Sequence, residues 1–528
     1  MLLVIFTFYF FLGQTEQVLD SYIAAVYEHT VILNPEPRTP VSRHDALRHM
    51  QRNLDVYEEQ AALAAQQGVQ IIVYPEDGIH GFNYTRSSIS GYLETIPDPE
   101  ERWNPCVEPG RFNNTEVLQR LSCVARRYHL YLVANMADLQ PCPLKTDPSS
   151  SCPSDGHWQF NTNVVFNSEG LLVARYHKHN LYFEEAFDQP PQAEIATFDT
   201  PFAGTFGLIV CFDILFRDPT VTLVEQVEQT HQPFQCCIPS ELLFLLLFQG
   251  VRQLVFPTAW MNQLPLLDSI QFQQAFSLGA NVSLLAANIR YDRLIMTGSG
   301  IYTPFSSTYH HARRGDPEEG RLLVARVPVL HPQWVRQDSP TAESVDTTEP
   351  TSPYSGVCHS ESCADLPPPP PPDAAAVMMY DPFQFALLNE TRGKLSVCDG
   401  AFCCHLQYEW IAHDKRSELY ALGAFAGTHV VNGRYALQVC AVVRCAALEA
   451  SSCGQEVEEA ESKMDFLLEA TFDTRHVYPS VLASRHVLEH PEKLEKAPDG
   501  RVVMKHSSVS GGLVTACLYG RMYHLDQE

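Results

Sequence analysis

At 528 residues, the chain is too long for one ordinary domain, so we expect two or three domains. Its apolar content of 45%, with only 19% charged residues, is typical of a globular protein with a real core and excludes a mainly disordered chain. The 62 acidic residues outweigh the 36 basic ones, and the formal net charge of −26 argues against nucleic acids and anionic membrane surfaces as partners.

The chain opens with an apolar run from Leu2 to Leu12, which small and polar residues follow. A run of this length is too short to span a bilayer and is typical of the apolar core of a signal peptide, with a buried strand as the alternative. The last residues lack the apolar tail that precedes a lipid anchor. The sequence therefore predicts a signal peptide over 1–20 and a secreted, extracellular protein without a membrane anchor.

In a secreted protein, most of the sixteen cysteines are expected to form disulfides, because oxidising compartments favour them. Four Asn-x-Ser/Thr sequences agree with this route and predict N-glycosylation at Asn83, Asn113, Asn389 and Asn281. Asn281 is the weakest of these candidates, because it opens "NVSLLAAN", a pattern typical of a buried strand that could not carry a glycan.

Residues 44–67 form a long helical pattern, and the apolar run "VQIIVYPE" follows it as a buried strand. Helix and strand patterns then alternate along the chain, with further strands predicted at 130–136, 208–213, 252–260 and 283–289. This alternation indicates an α/β layer architecture, in which functional side chains collect at the carboxyl ends of the strands.

Residues 336–375 break this pattern with a stretch that includes six consecutive prolines, 367–372. Because proline cannot continue a helix or a sheet, the stretch predicts an extended, semi-rigid linker. The region after it has short strand-like runs and many cysteines. The sequence thus predicts an α/β domain over 21–335, a linker, and a disulfide-rich, mostly β domain over 376–528.

Three residues that end apolar strand patterns could carry nucleophilic chemistry. Cys211 is a candidate nucleophile, although a disulfide partner or a plain core thiol could occupy the same position. A thiol nucleophile needs a base, for which Glu76 qualifies, with an ordinary solvated strand end as the alternative. The oxyanion needs a fixed cation, for which Lys178 qualifies, with a surface lysine as the alternative.

His177 and His179 flank Lys178 and leave two further interpretations open. Either imidazole could be the base of a Cys–His pair, which spacing alone does not exclude. The two histidines could also suggest a metal, but no third ligand lies at a characteristic spacing in the sequence.

The order of these elements resembles the Glu–Lys–Cys triad of the nitrilase (carbon–nitrogen hydrolase) superfamily, with Glu76 in "YPEDGIHGF", Lys178 in "RYHKHNL" and Cys211 in "VCFD". Longer stretches, among them "CFDILFRDP", "PTAWMNQLPLL" and "LYALGAFAGTHVVNGRYALQVC", are similar to the biotinidase/vanin branch of that superfamily. The likeness covers nearly everything outside the linker and one insert. It implies a nitrilase-type α-β-β-α sandwich, of class α/β, followed by a smaller, mostly β domain.

The resemblance also implies a cysteine amidase that acts on a small-molecule substrate and needs no metal or organic cofactor. In it, Glu76 would accept the proton, Lys178 would stabilise the oxyanion and Cys211 would form a thioester. Glu184 or Glu185 would orient Lys178 or the base.

The stretches "KHNLYFEEAFD" and "HGFNYTR" resemble the members of the branch that cleave biotin amides, such as biocytin and biotinyl-peptides, more than the vanins, which cleave pantetheine. Hydrolysis of pantetheine and a biotin-binding protein with an idle triad are the alternatives.

If Cys211 is the free nucleophile, twelve cysteines in family-like contexts remain for disulfides, and Cys517 is interpreted as an extra small apolar residue. The twelve are Cys106, Cys123, Cys142, Cys152, Cys358, Cys363, Cys398, Cys403, Cys404, Cys440, Cys445 and Cys453.

Residues 227–249 interrupt the likeness and bring Cys236 and Cys237. Splicing them out leaves "DPTVTLVEQGVRQLVFPTAW", a continuous passage from helix to strand. The borders of the insert can be encoded as a splice donor and a splice acceptor, so we interpret it as a retained intron. A genuine surface loop is the alternative, although the apolar run 242–248 would make a poor one.

Overall fold

A computed structural model describes residues 20–142, 152–225, 250–330, 374–411 and 418–526. The predicted signal peptide, the insert 227–249 and nearly all of the predicted linker lie outside these residues, as do Cys236, Cys237, Cys358 and Cys363. Within the described parts of the chain, no helix is long and apolar enough to cross a membrane.

The described residues between 21 and 328 form two six-stranded sheets. The first sheet has the order β12-β1-β2-β3-β4-β5 and the second β11-β10-β9-β8-β7-β6. Their strands are β1 Ser21–Glu28, β2 Ile71–Val73, β3 Tyr131–Pro141, β4 His157–Phe166, β5 Leu172–His177, β6 Thr197–Thr200, β7 Gly204–Leu208, β8 Gln253–Pro257, β9 Ser283–Ala287, β10 Ser299–Tyr302, β11 Ser307–His310 and β12 Arg321–Pro328. The central pairs of each sheet are parallel.

Within the described residues, four α-helices accompany these strands: α1 Arg43–Gln66, α2 Glu116–Tyr128, α3 Thr222–Glu225 and α4 Ser269–Ala280. Ser42 is the N-cap of helix α1. Its side chain accepts a hydrogen bond from the backbone N–H of Asp45, which would otherwise have no partner within the helix. Its buried residues recur every three or four positions, which places them on one face. They are Ala46, Met50, Asn53, Leu54, Tyr57, Ala61 and Ala64.

The sheets face each other, and each has helices on its outer side. One hydrophobic core lies between the sheets, with Val73 and Val133 of the first sheet and Leu208 and Val255 of the second. A second core lies between the first sheet and helices α1 and α2. The predicted α-β-β-α sandwich is therefore confirmed.

Residues 374–526 form a second, mostly β domain of two antiparallel sheets, as expected. One sheet has the order β13-β14-β17-β18-β24-β20-β21 and the other β15-β16-β19-β23-β22, with a core of their own between them. Their strands are β13 Ala374–Met378, β14 Asp381–Leu387, β15 Arg392–Asp399, β16 Phe402–Trp410, β17 Tyr420–His429, β18 Tyr435–Arg444, β19 Met464–Thr471, β20 Val477–Ala483, β21 Val487–Glu489, β22 Lys493–Lys496, β23 Arg501–His506 and β24 Leu513–Arg521. Strand β13 begins inside the stretch that the sequence assigned to the linker.

The two domains share a packed interface in which α4 lies on β20. Gln271 donates to the Ser480 hydroxyl at 3.2 Å. Gly279 sits so close to this strand that an added Cβ would lie 2.7 Å from the Val477 carbonyl oxygen. The hydrophobic cluster that fills the first domain between its sheets continues into residues of the second domain, such as Tyr478, so the two domains pack as one body.

Five disulfides join ten of the twelve cysteines that the sequence singled out for pairing. They are Cys106–Cys123, Cys142–Cys152, Cys398–Cys403, Cys404–Cys440 and Cys445–Cys453. Among the described cysteines, only Cys211 and Cys517 are free, and both are buried.

Two local expectations differ from the structure. The strand predicted over 208–213 ends at Leu208, and Cys211 opens a short 3-10 helix, Cys211–Leu215. Asn281 does not belong to a buried strand, because it is the half-buried C-cap of α4 in the left-handed region, two residues before β9.

Candidate active site

Three strand ends bring Glu76, Lys178 and Cys211 together between the two sheets. Glu76 follows β2, Lys178 directly follows β5, and Cys211 lies three residues after β7. Only 2%, 1% and 7% of these residues, respectively, are exposed. Burial of two charged groups is costly unless they are paired, so the partners of each group decide what the site can do.

The Glu76 carboxylate is held by three donors. Its Oε1 accepts from Lys178 Nζ at 2.7 Å and from Asn161 Nδ2 at 2.8 Å. Its Oε2 accepts from the backbone N–H of Ala259 at 2.9 Å. Because all three donors fix its direction, the carboxylate is oriented before any substrate arrives.

Lys178 lies between two carboxylates, since its ammonium also pairs with Glu184. Burial alone would lower the pKa of Lys178, but Glu184, Glu76 and Cys211 outweigh it and raise this pKa well above its usual value. The side chain is therefore a permanent cation beside the nucleophile.

Cys211 occupies the left-handed region, with φ of 44°, a costly conformation for a residue with a side chain. The turn is fixed by Asp213, whose Oδ2 accepts from the Val210 N–H at 3.0 Å and from the Tyr176 hydroxyl at 2.8 Å. The other oxygen of Asp213 accepts from the backbone of Asn180 at 2.9 Å. These bonds hold the sharp turn that presents the thiol.

Burial, and next to it the charge of Glu76, raise the pKa of the Cys211 thiol well above its usual value, against the lowering effect of Lys178, Thr258 and Ala259. The resting thiol is therefore protonated at neutral pH. Glu76 and Cys211 line the same cleft, so the carboxylate is placed to take the proton when the sulfur attacks.

A buried amide network, which we did not predict from the sequence, supports the base. Asn161 donates from Nδ2 to Glu76 and, at 2.8 Å, to Glu184 as well. Asn135 donates to the side-chain oxygens of Asn161 and Asn163 at 2.6 and 3.1 Å. The available signal was the alternation in "QFNTNVVF", which places Asn161 and Asn163 on the same face of a buried strand.

The structure separates the two glutamates that were candidates for orienting Lys178. Glu184 pairs with Lys178, and burial, followed by the neighbouring Glu76 charge, raises its pKa despite Lys178. Glu185 instead forms an exposed ion pair with Arg38.

The two histidines beside Lys178 are engaged away from the thiol. His177 uses Nδ1 for Glu194 at 2.8 Å and Nε2 for Asp138 at 2.9 Å. His179 lies 3.4 Å from the Gln189 amide. Among the described residues, Glu76 lines a cleft together with Cys211 and neither histidine does, so the geometry favours Glu76 as the base.

Two clefts meet at Cys211, and they share Tyr182, Ala259 and Met261. The first, which we call the triad cleft, is also lined by Glu76, Lys178 and Glu184. The second, the interdomain cleft, lacks these charged groups. It runs between the domains along Phe212, Trp260, Leu267, Tyr380, Asp381, His429, Asn432 and Tyr435. A substrate can thus occupy space on both sides of the sulfur.

In the described parts of the chain, one group of side chains has metal-ligand chemistry: Asp268, His311 and His486, whose ligand atoms lie within 4.8 Å of one another. It is not part of either cleft at Cys211. The two imidazoles stack at 3.8 Å with only 15° between their planes. Since an imidazole binds a metal near its own plane, two stacked parallel rings cannot both point at one ion. Asp268 Oδ2 instead accepts a hydrogen bond from His486 Nδ1 at 3.0 Å and lies 3.2 Å from His311 Nε2.

The four predicted glycosylation sites lie at different degrees of exposure. Asn83, Asn113 and Asn389 are exposed, whereas Asn281 is half-buried. Asn83 also lines the outer part of the triad cleft.

Comparison with known proteins agrees with this architecture. Residues 44–232 match the model of the carbon-nitrogen hydrolase family, and residues 375–526 match the model of the vanin C-terminal domain. The chain is 67% identical to a biotinidase of Takifugu rubripes, over 97% of this chain and 96% of that one. It is 44% identical to the biotinidase of Homo sapiens, over 96% and 90% of the two chains.

A pantetheinase of Bos taurus is also similar, with 42% identity over 98% of this chain and 92% of that one. The resemblance read from the sequence motifs is thereby confirmed. With both domain models matched and relatives this similar over nearly the whole length, the chain belongs to the carbon-nitrogen hydrolase family, in the biotinidase/vanin branch that carries a vanin C-terminal domain.

Proposed function

We propose that this protein hydrolyses biotin amides, biocytin and biotinyl-peptides among them, to free biotin and an amine. The observation that carries the proposal is the convergence of a buried thiol, an oriented carboxylate and a buried ammonium at Cys211. The similarity to biotinidases over nearly the full length supports biotin as the acyl group.

The first half of the reaction forms a thioester. Glu76 takes the proton of Cys211 as the sulfur attacks the amide carbonyl carbon, and the negative oxygen that develops faces the Lys178 ammonium. The carbon–nitrogen bond then breaks, and the leaving amine takes the proton from Glu76. The acyl group remains on the Cys211 sulfur.

The second half returns the enzyme to its starting state. Glu76 takes a proton from a water molecule, whose oxygen attacks the thioester carbonyl. The carbon–sulfur bond breaks, the acid is released, and the proton returns from Glu76 to the Cys211 sulfur. Protons and bonds balance without a metal or an organic cofactor.

The test is hydrolysis of biocytin and of pantetheine, measured side by side on the full chain. We expect lysine release from biocytin to be the faster reaction and to disappear in Cys211→Ala. Cys517→Ala serves as the matched control, because this second free thiol is buried in the β domain, and it should retain activity.

Cleavage of pantetheine with biocytin untouched would keep the mechanism and replace the substrate. A folded protein that binds biotin but cleaves neither amide would contradict the enzymatic proposal.

We also propose that the protein is secreted and glycosylated. Five disulfides in the described residues and three exposed Asn-x-Ser/Thr sites support this route. Expression in animal cells followed by mass spectrometry of the medium tests it. We expect a mature N-terminus near residue 20 and glycans at Asn83, Asn113 and Asn389. Retention inside the cell with an intact leader would contradict the proposal.

A further inference from the structure

The two clefts at Cys211 have different chemistry, and the reaction assigns each of them a part of the substrate. The leaving amine takes its proton from Glu76, so it must lie where the carboxylate can reach it. Glu76 and Lys178 line the triad cleft and are missing from the walls of the interdomain cleft. The amine side therefore lies in the triad cleft, and the acyl group extends into the interdomain cleft.

The far wall of the interdomain cleft belongs to the C-terminal domain. Phe212, the neighbour of the nucleophile, connects the two domains through Gly433, where an added Cβ would lie 2.8 Å from the Phe212 ring. Gly433 has φ of 142°, which favours glycine, so the loop is shaped to approach the ring closely. The C-terminal domain thus lies against the residue next to the nucleophile.

A strained hairpin forms another part of the same wall. Strands β13 and β14 are joined by Met379 and Tyr380, both with positive φ, 54° and 70°. A two-residue turn of this kind normally uses Asn-Gly, because side chains are disfavoured there. Both large side chains line the cleft, and strain of this kind is typically kept where a side chain has a task.

Four polar side chains, Gln263, Asp381, His429 and Asn432, line this otherwise apolar and aromatic cleft. Asp381 and His429 are more than nine-tenths buried and are joined by a 2.8 Å hydrogen bond between Asp381 Oδ2 and His429 Nδ1. His429 Nε2 donates to the Val431 carbonyl, which fixes the ring and, through it, the carboxylate. Within the described residues, neither Asp381 Oδ1 nor the side-chain amide of Asn432 makes a hydrogen bond. Asn432 is half-buried.

These groups match the polar head of a biotinyl group. Its cyclic urea offers two N–H donors and one carbonyl acceptor, while its sulfur ring and alkyl chain are apolar. A carboxylate oxygen accepts an N–H, and a carboxamide can donate to the carbonyl. Few, well-placed polar groups in an apolar cleft are the usual means of fixing a ligand.

We propose that the C-terminal domain completes the acyl site, with Asp381 and Asn432 binding the cyclic urea from the wall that this domain contributes to the interdomain cleft. This inference rests on the proposed function and adds to it the residues that determine specificity. It also gives the C-terminal domain a direct part in recognition, beyond bracing the catalytic domain.

The test compares two substrates that share a leaving amine and differ in the acyl head: the biotinyl and the pentanoyl amides of p-aminobenzoate. Asp381→Asn and Asn432→Asp keep the side-chain shapes and exchange acceptor and donor. We expect each to lower the ratio of kcat/KM for the biotinyl over the pentanoyl amide on the order of ten- to hundredfold, mainly through KM. The pentanoyl amide, which lacks the urea, should be cleaved at the wild-type rate.

Val430→Ala is the matched control, because Val430 lies in the same loop, is exposed and does not line the cleft. Equal losses on both substrates, or an unchanged ratio in both variants, would overturn the inference. A wild-type protein that does not prefer the biotinyl amide would instead refute the proposed function, and the inference would fall with it. If Asp381→Asn does not fold, the ratio of kcat/KM measured on Asn432→Asp alone tests the inference.

Discussion

The charge of Glu76 has two opposite effects on Cys211. It is the group that can accept the thiol proton, and after burial it is the main cause that raises the thiol pKa. We therefore expect Glu76→Gln to lower kcat on the order of 10² to 10⁴, the usual contribution of a general base. The same change should move the pH midpoint of Cys211 alkylation downward, because a negative neighbour that disfavours the thiolate is gone.

The measurement pairs amide hydrolysis with iodoacetamide labelling over a pH series, read by mass spectrometry at Cys211. Glu185→Gln is the matched control, since Glu185 is exposed and pairs with Arg38 instead of Lys178. An alkylation midpoint that stays fixed or rises in Glu76→Gln would show that this carboxylate does not act on the thiol.

A hydrogen bond at the end of helix α3 indicates how the chain would connect without the insert 227–249. The backbone N–H of Val251 donates to the Leu223 carbonyl at 2.9 Å. If Gln226 were joined directly to Gly250, this bond would span six residues, with Gly250 at the position after the C-cap. That is the pattern of the Schellman motif, in which glycine is preferred at this position. An added Cβ on Gly250 would indeed lie 1.6 Å from the Val224 carbonyl oxygen.

The helix end therefore already makes the bond that a chain without 227–249 would need. We expect deletion of these residues to give a folded protein at least as active on biocytin as the parent. Shortening the connection removes roughly 1–2 kcal/mol of loop-closure entropy, so the urea midpoint should be equal or higher.

A variant that replaces 227–249 by a Gly/Ser linker of equal length is the control for this deletion. Loss of folding in the deletion variant, with the linker variant intact, would mean that the segment is a necessary part of the protein. Sequencing the transcript tests the intron hypothesis separately, since cDNA that consistently encodes "CCIPSELLFLLLF" contradicts it.

The helices and strands differ in how well the sequence predicts them. The helix over 44–67 and the strand around 130–136 follow from long periodic patterns, and both are present as α1 and β3. The strand predicted to carry Cys211 ends three residues before it, at Leu208, because apolar residues do not reveal a turn fixed by Asp213. Asn161 was missed because its role depends on a contact 85 positions away, with Glu76.

A cluster of ionisable side chains lies at the boundary between the two domains. Asp268, the N-cap of α4, accepts from His486 of the C-terminal domain at 3.0 Å, and His311 lies 3.2 Å from the same oxygen. Burial would lower the pKa of His311, but Asp268 and Glu28 raise it above its usual value. Burial would raise the pKa of Asp268, but His311 and His486 lower it.

The sign of the pH effect follows from these two shifts. A His311 pKa that is raised by folding contributes stability that is complete below about pH 6.5 and is lost as the pH rises through the folded-state pKa. An Asp268 pKa that is lowered by folding contributes stability above about pH 3.9, which is lost as the pH falls through its folded-state pKa. The Asp268–His311 pair, which lies beside the domain contact, is therefore most stabilising in weakly acidic solution and weakens toward alkaline pH.

We expect Tm to fall between about pH 6 and pH 9 more steeply in the parent than in His311→Gln, which removes the titrating ring. Scanning calorimetry of the full chain at each pH gives the two slopes. His524→Gln controls for the loss of a histidine, because His524 is exposed and makes no contact with this cluster. Parallel slopes in the parent and in His311→Gln would place the pH dependence elsewhere, whereas a flatter slope in His311→Gln alone would show that the Asp268–His311 pair titrates in this range.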